Sequence, residues 1–115
     1  MHWNILADKL AHDSFPKVPE EFLQWSYRKG LIFQHIWDTD ADCLGLSEVD
    51  VDPLYKEFRE VMSDNGYDDY FVPKPSNISG SAIFWKKDKF RCIEKNYVAF
   101  PGDSQFFMFC RFQKI

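Results

Sequence analysis

The apolar positions change period several times along the chain, and each change marks an element. Trp3, Ile5 and Leu6 surround Asn4 in a short apolar run that predicts a buried strand from Trp3 to Leu6. Polar residues with Pro16 and Pro19 then fill Ala7 to Pro19, a loop over the strand ends. From about Gln24 to Trp37 the spacing becomes helical, with Tyr27, Leu31 and Ile36 facing inward and Arg28, Lys29 and Gln34 outward. Asp38 to Asp42 closes that helix and leads to a buried strand, Cys43 to Leu46, with Ser47-Glu48-Val49-Asp50 at its end. Asp52-Pro53 has the form of an N-cap followed by a first-turn proline, opening a helix that turns Leu54, Phe58, Val61 and Met62 inward. Asn65-Gly66 ends it, and the period then becomes that of strands: Tyr70 to Pro73, Ala82 to Lys86, Arg91 to Val98 and Phe106 to Phe112. Turns are expected at Lys87 to Lys89 and Pro101 to Ser104. The chain carries neither repeats nor low-complexity tracts, so the pattern describes one α/β domain.

Composition sharpens this in a few respects. Hydrophobic residues make up 45% of the 115 positions, enough for a core, and 12 Phe with 4 Trp leave a surplus of aromatic surface. The net charge of −4 does not advertise nucleic-acid binding by the domain as a whole. A basic run, Lys86, Lys87, Lys89 and Arg91 with Trp85 and Phe90 between, reads either as a solvated hairpin or as a strip that touches a polynucleotide. Cys43, Cys92 and Cys110 stand far apart, against a zinc site or a disulfide framework and in favour of a reducing, intracellular setting, with the cytoplasm as the expected location. No apolar stretch approaches membrane-spanning length, and no membrane partner is expected.

Candidate chemistry concentrates at two strand ends. Asn4 and Glu48 could sit side by side there, and a carboxamide beside a carboxylate suits a hard cation such as Mg²⁺ holding a phosphate. The same residues also serve as ordinary strand-closing or surface groups. Glu48, Asp50 and Asp52 alternate, but Asp52 is accounted for as a helix cap and Asp50 as a turn residue. His2, His12 and His35 show no convergence with other ligands. Gly80-Ser81 lacks the spacing of a phosphate cradle, and Gly80 is explained by backbone geometry.

The segments Trp3-Asn4-Ile5-Leu6, Trp25-Ser26-Tyr27-Arg28-Lys29, Ala41 to Asp50, Gly66-Tyr67, Phe71-Val72-Pro73-Lys74-Pro75 and Gly80 to Phe84 appear in an order that resembles the endonuclease/exonuclease/phosphatase superfamily. Within it, the chain is most similar to the deadenylase-like branch that contains nocturnin and angel, and Pro73-Lys74-Pro75 is nocturnin-like. The resemblance implies a two-sheet α/β sandwich and a Mg²⁺-dependent phosphoesterase. Asn4 and Glu48 would be catalytic, Glu48 the metal ligand and Lys74 a substrate-phosphate contact. The implied substrate is an RNA 3′ end, as in 3′-5′ exonucleases and deadenylases, or the 2′-phosphate of NADP(H). Ser47 stands where the family usually has Gln, and Ser79 and Ser81 replace an acidic residue and a Cys. The family's later Thr-His-Leu-Lys, Gly-Asp-Phe-Asn and Ser-Asp-His motifs have no counterpart in this sequence. Residues 1–115 therefore read as the N-terminal half of one catalytic domain, an incomplete sandwich. The alternative is a catalytically inactive product that binds a protein partner through an exposed core.

Overall fold

The computed structural model describes residues 1–5, 19, 21, 24–75, 78–101 and 105–115. In chain order its elements are β1 (His2–Asn4), α1 (Trp25–Thr39), β2 (Cys43–Asp50), α2 (Leu54–Asp64), β3 (Tyr67–Pro73), β4 (Ser79–Lys86), β5 (Phe90–Ala99) and β6 (Phe106–Lys114). Leu6, most of the loop expected over Ala7 to Pro19 and most of the turn expected over Pro101 to Ser104 lie outside the described residues.

One sheet has four strands in the order β1-β2-β4-β3, and a second consists of the β5-β6 hairpin. β1 is parallel to β2, a pairing that requires a crossover, and α1 lies in that connection. β4 runs antiparallel to both β2 and β3, so β1, β2 and β3 all end at the same end of the sheet, where β4 begins. Both helices meet one face of this sheet. Ile32 and Ile36 from α1 and Tyr55, Phe58 and Met62 from α2 close over Leu44, Leu46, Ala82 and Phe84 in a single buried cluster. Phe33 and Phe58 stack at 4.8 Å between ring centroids, tying the two helices together. Each fully buried side chain of this size contributes roughly 1.5–3 kcal/mol. The hairpin meets the opposite face, where Phe112 packs on the buried Trp85 at 5.1 Å.

Three expectations are corrected. The inner face of α1 is Ile32 and Ile36, flanked by Trp25, Phe33 and Trp37, whereas Tyr27 and Leu31 are 48% and 59% exposed. Tyr27 and Leu31 form a competing i, i+4 stripe, and Arg28, assigned outward, instead reaches in to donate a hydrogen bond to the Ile5 carbonyl. Asp52 does not cap α2: the helix begins after Pro53 with no side-chain cap, and the Asp52-Pro53 peptide is cis. Asp50 is not a turn residue. It is the last residue of β2, 4% exposed and paired with the equally buried Ser79 of β4.

Candidate active site at the end of the four-stranded sheet

Asn4 closes β1 opposite Ser47, and the Ile5 N–H donates to the Ser47 carbonyl at 3.0 Å. Glu48 follows at once, so Asn4 and Glu48 stand on neighbouring strands one register position apart. A β-bulge gives Glu48 its particular setting. Leu46 pairs with Ala82 and Val49 with Gly80, leaving Ser47 and Glu48 opposite Ser81 alone. Glu48 takes φ 55°, a left-handed backbone that costs a non-glycine residue of order 1–3 kcal/mol. Leu46 and Val49, 1% and 2% exposed, clamp the strand on both sides of the bulge and hold it there. Bulges re-aim side chains beside active sites. Here the bulge also breaks the expected alternation of Glu48, Asp50 and Asp52, which share no common face: Glu48 is half-buried, Asp50 buried and Asp52 exposed.

Gly80 fixes the next strand of the same end. A Cβ there would lie 2.4 Å from the Val72 carbonyl oxygen and 2.8 Å from the Phe71 ring, so β3 and β4 approach each other only through glycine. That accords with the backbone role expected of it. Lys74 follows β3 directly, is half-buried, and its N–H donates to the Ser79 carbonyl at 2.9 Å. It lies at the same sheet end as Asn4 and Glu48, but β3 is two strands from β2, about 10 Å at ~4.8 Å per strand. Lys74 thus stands apart from the Asn4–Glu48 pair, at the distance of a neighbouring group of an extended ligand. A cavity of about 320 Å³ opens between these strand ends, lined by Val51, Asp52, Phe71 and Pro73.

Arg28 is the residue that the hydropathy pattern hid. Its guanidinium holds the Ile5 carbonyl and lies over the Trp25 ring at 5.9 Å, fixing the end of β1 from below. The signal was its place within Trp25-Ser26-Tyr27-Arg28-Lys29 rather than its polarity. Arg28 and His35 line a second cavity, about 390 Å³, together with Trp3 and Asn4. His35 is exposed, with its ring tilted against Trp3 at 4.7 Å. His2 is exposed in β1, and His12 lies outside the described residues.

The basic run belongs to the opposite end of the sheet. Lys86 bonds Asp40 at 2.6 Å and Lys89 bonds Asp42 at 3.0 Å, while the Lys87 ammonium donates to the Ser63 carbonyl. Hydrogen bonding to Asp40 pushes the Lys86 pKa up, and hydrogen bonding to Lys89 pulls Asp42 down. Lys86 and Lys89 staple the α1–β2 connection to the β4–β5 turn, Lys87 reaches the last turn of α2, and the preceding Trp85 is buried. Asp40 and Asp42 of this connection thus hold the turn in place.

A profile of the endonuclease/exonuclease/phosphatase family matches residues 1–114. The chain belongs to this family. Among relatives of this family member, the CCR4-NOT transcription complex subunit 6-like protein of Danio rerio is 34% identical over 111 residues, covering 87% of the chain and 20% of that protein. Nocturnin of Drosophila melanogaster is 37% identical over 101 residues, covering 77% of the chain and 15% of that protein. The crystal structure of ANGEL2, a 2′,3′-cyclic phosphatase, in complex with adenosine-2′,3′-vanadate superposes with a TM-score of 0.90 at 27% identity, over 99% of the chain and 36% of ANGEL2. The human nocturnin catalytic domain with bound sulfate gives a TM-score of 0.65 at 29% identity, over 84% of the chain and 35% of that structure. The chain thus spans about a fifth of the length of the first curated relatives it matches. The α/β, two-sheet reading of the sequence and the family resemblance both hold.

Proposed function

We propose that this chain supplies the Asn4–Glu48 part of the active site of a Mg²⁺-dependent phosphoesterase that hydrolyses a phosphate ester at the 3′ end of RNA. The observation that carries it is the bulge: a strained backbone delivers a half-buried carboxylate to the end of β2, next to a carboxamide that ends β1. One carboxylate with an amide oxygen fits Mg²⁺, which takes oxygen ligands, keeps several waters and needs only one or two carboxylates beside the substrate phosphate. When bound, the cation would polarise the phosphoryl oxygens and offset charge developing on the leaving oxygen. Glu48 holds its carboxylate in place through the bulge. Asn4 orients a phosphate oxygen through its carboxamide, and Arg28 keeps Asn4 in position by anchoring the adjacent Ile5 carbonyl. Lys74, about two strands away, contacts a second phosphate as a point charge.

The RNA end is favoured over NADP(H) by the relatives: a 3′-5′-exoribonuclease Ccr4 subunit from Neurospora crassa is 32% identical, and ANGEL2 is described with an adenosine-2′,3′ ligand. The NADP(H) 2′-phosphate, which the nocturnin-like Pro73-Lys74-Pro75 implied from the sequence, is kept as the competing substrate. The test uses a family-length protein carrying this segment, with Mg²⁺, an oligoadenylate and NADP(H) as separate substrates. Release of nucleotide from the oligoadenylate, lowered by at least about 100-fold in Glu48→Gln, is expected. Undiminished turnover in that variant refutes the role of Glu48, and release of phosphate from NADP(H) alone refutes the choice of substrate. Absence of both activities in the unsubstituted protein favours an interaction module.

A further inference from the structure

Two of the three cysteines, distant in sequence, meet on the β5-β6 hairpin. Cys92 pairs with Phe112 and Lys95 with Cys110, with the β5 strand bulged between Cys92 and Glu94. Cys110 and Phe112 share a face of β6, so Cys92, opposite Phe112, shares that face with Cys110. Cys92 thus stands beside Cys110, and its Sγ donates to the Glu94 carbonyl at 3.4 Å. Both are free and half-buried. Burial, then the neighbouring Cys92, pushes the Cys110 thiol up to about 12, so Cys110 on its own is a poor nucleophile. Cys92 faces a different setting. It lines a cavity of about 530 Å³ whose wall carries Lys87, Arg91 and Lys95 beside Asp68 and Glu94, an approach with three cations. Cationic surroundings attract an anionic oxidant.

We propose that Cys92 and Cys110 are a thiol-disulfide switch, in which Cys92 captures a small anionic disulfide such as oxidised glutathione and Cys110 resolves it into a bond across the hairpin. In the first step the Cys92 thiolate attacks one sulfur of the oxidant, forming a mixed disulfide and expelling a glutathione thiolate. That leaving thiolate is protonated, which balances the proton lost from Cys92. Cys110 then loses its proton and attacks the Cys92 sulfur, releasing the second glutathione. Two protein thiols are oxidised and one oxidant disulfide is reduced to two thiols. Conversion of Cys92 to the mixed disulfide places an electrophilic sulfur beside Cys110, so the second step follows from the first. The bond closes over residues 93–109 and fixes the bulge and register of β5 against β6.

The 115-residue chain equilibrated in glutathione buffers of graded potential, trapped with a maleimide and mapped by mass spectrometry, tests this. The expected product has lost two hydrogens, about 2 Da, links the Cys92 and Cys110 peptides, and leaves Cys43 labelled. Cys110→Ser should accumulate glutathione on Cys92, whereas Cys92→Ser should slow modification of Cys110 by at least about tenfold, because burial alone still disfavours its thiolate. Independent labelling of Cys92 and Cys110 at every potential, a bond to Cys43, or glutathione accumulating on Cys110 in the unsubstituted chain would each overturn the proposal. Because none of these readouts involves hydrolysis, their outcome is separate from that of the phosphoesterase test.

Discussion

The four-stranded sheet and the β5-β6 hairpin are built from similarly apolar sequence, yet their side chains meet opposite fates. In the sheet, Leu44, Leu46, Ala82 and Phe84 are each at most 2% exposed, because two helices close over them. On the hairpin, Ile93, Tyr97, Val98 and Phe107 are 48 to 56% exposed, and Phe106, Phe109 and Phe112 are only half-covered. Hydrophobic composition therefore does not locate the core. What locates it is which strands have a helical layer on one face. The strained residue, Glu48, lies within the covered sheet, where neighbours 1% and 2% exposed can hold it, and the switchable thiols lie half-buried on the hairpin face that carries Phe112, where Cys92 lines an open cavity.

Truncation of a ring should separate the two regions most clearly. Phe84→Ala, at a residue 0% exposed, is expected to destabilise the chain by roughly 3–5 kcal/mol in denaturant unfolding. Phe107→Ala, at 56% exposure, should stay within about 0.5 kcal/mol of the parent. Equal losses would mean that the hairpin has a core of its own. A smaller loss, about 1–3 kcal/mol, is expected for Gly80→Ala, since its Cβ would press on the Val72 carbonyl and the Phe71 ring. A neutral result would show that β3 and β4 can separate at the site end without cost.

Glu48→Gly should do the reverse and leave stability unchanged or raise it by about 1 kcal/mol, because glycine relieves the left-handed backbone while adding chain entropy to the unfolded state. A loss of several kcal/mol would mean that the carboxylate, and not the bulge, holds this strand end together. The smallest effect is expected from pH. Burial, reinforced for Tyr55 by its 2.5 Å hydrogen bond to Asp69, raises the pKa of Tyr55 and Tyr67 above the ordinary 10.0, and burial raises Tyr70 likewise. These phenols stay neutral in the fold while their unfolded counterparts ionise, so their contribution is complete below pH 10 and declines as pH rises beyond it. Thermal melts from pH 8 to pH 11 should show that decline, and Tyr55→Phe should flatten it.

Much of this arrangement was legible in the sequence where the hydrophobic period was simple. α2, β3, β4 and both hairpin strands were found, the strands short by one to three residues at one or both ends. β2 was read only to Leu46 because the bulge at Ser47 and Glu48 interrupts the two-residue period, so Asp50 passed for a turn residue. The face of α1 was misassigned because Tyr27 and Leu31 mimic an inner stripe and because a charged residue, Arg28, does the inward-facing work. Asn4 and Glu48 were raised from two strand ends and Lys74 from resemblance, and the topology accounts for their common location: β1, β2 and β3 are mutually parallel and end together. The Cys92–Cys110 contact was hidden because it depends on strand register, which spacing along the chain does not disclose.

The account rests on that shared strand end as the place where a cation and a phosphate are held, and Mn²⁺ titration of the isotopically labelled chain, followed by amide NMR, tests it directly. Paramagnetic broadening is expected first at Asn4, Ile5 and residues 47–50, then at residues 79–80 and Lys74, with the β5-β6 hairpin spared and the effect lost in Glu48→Gln. Broadening centred on the acidic connection at Asp40 and Asp42, or unchanged by Glu48→Gln, would contradict it.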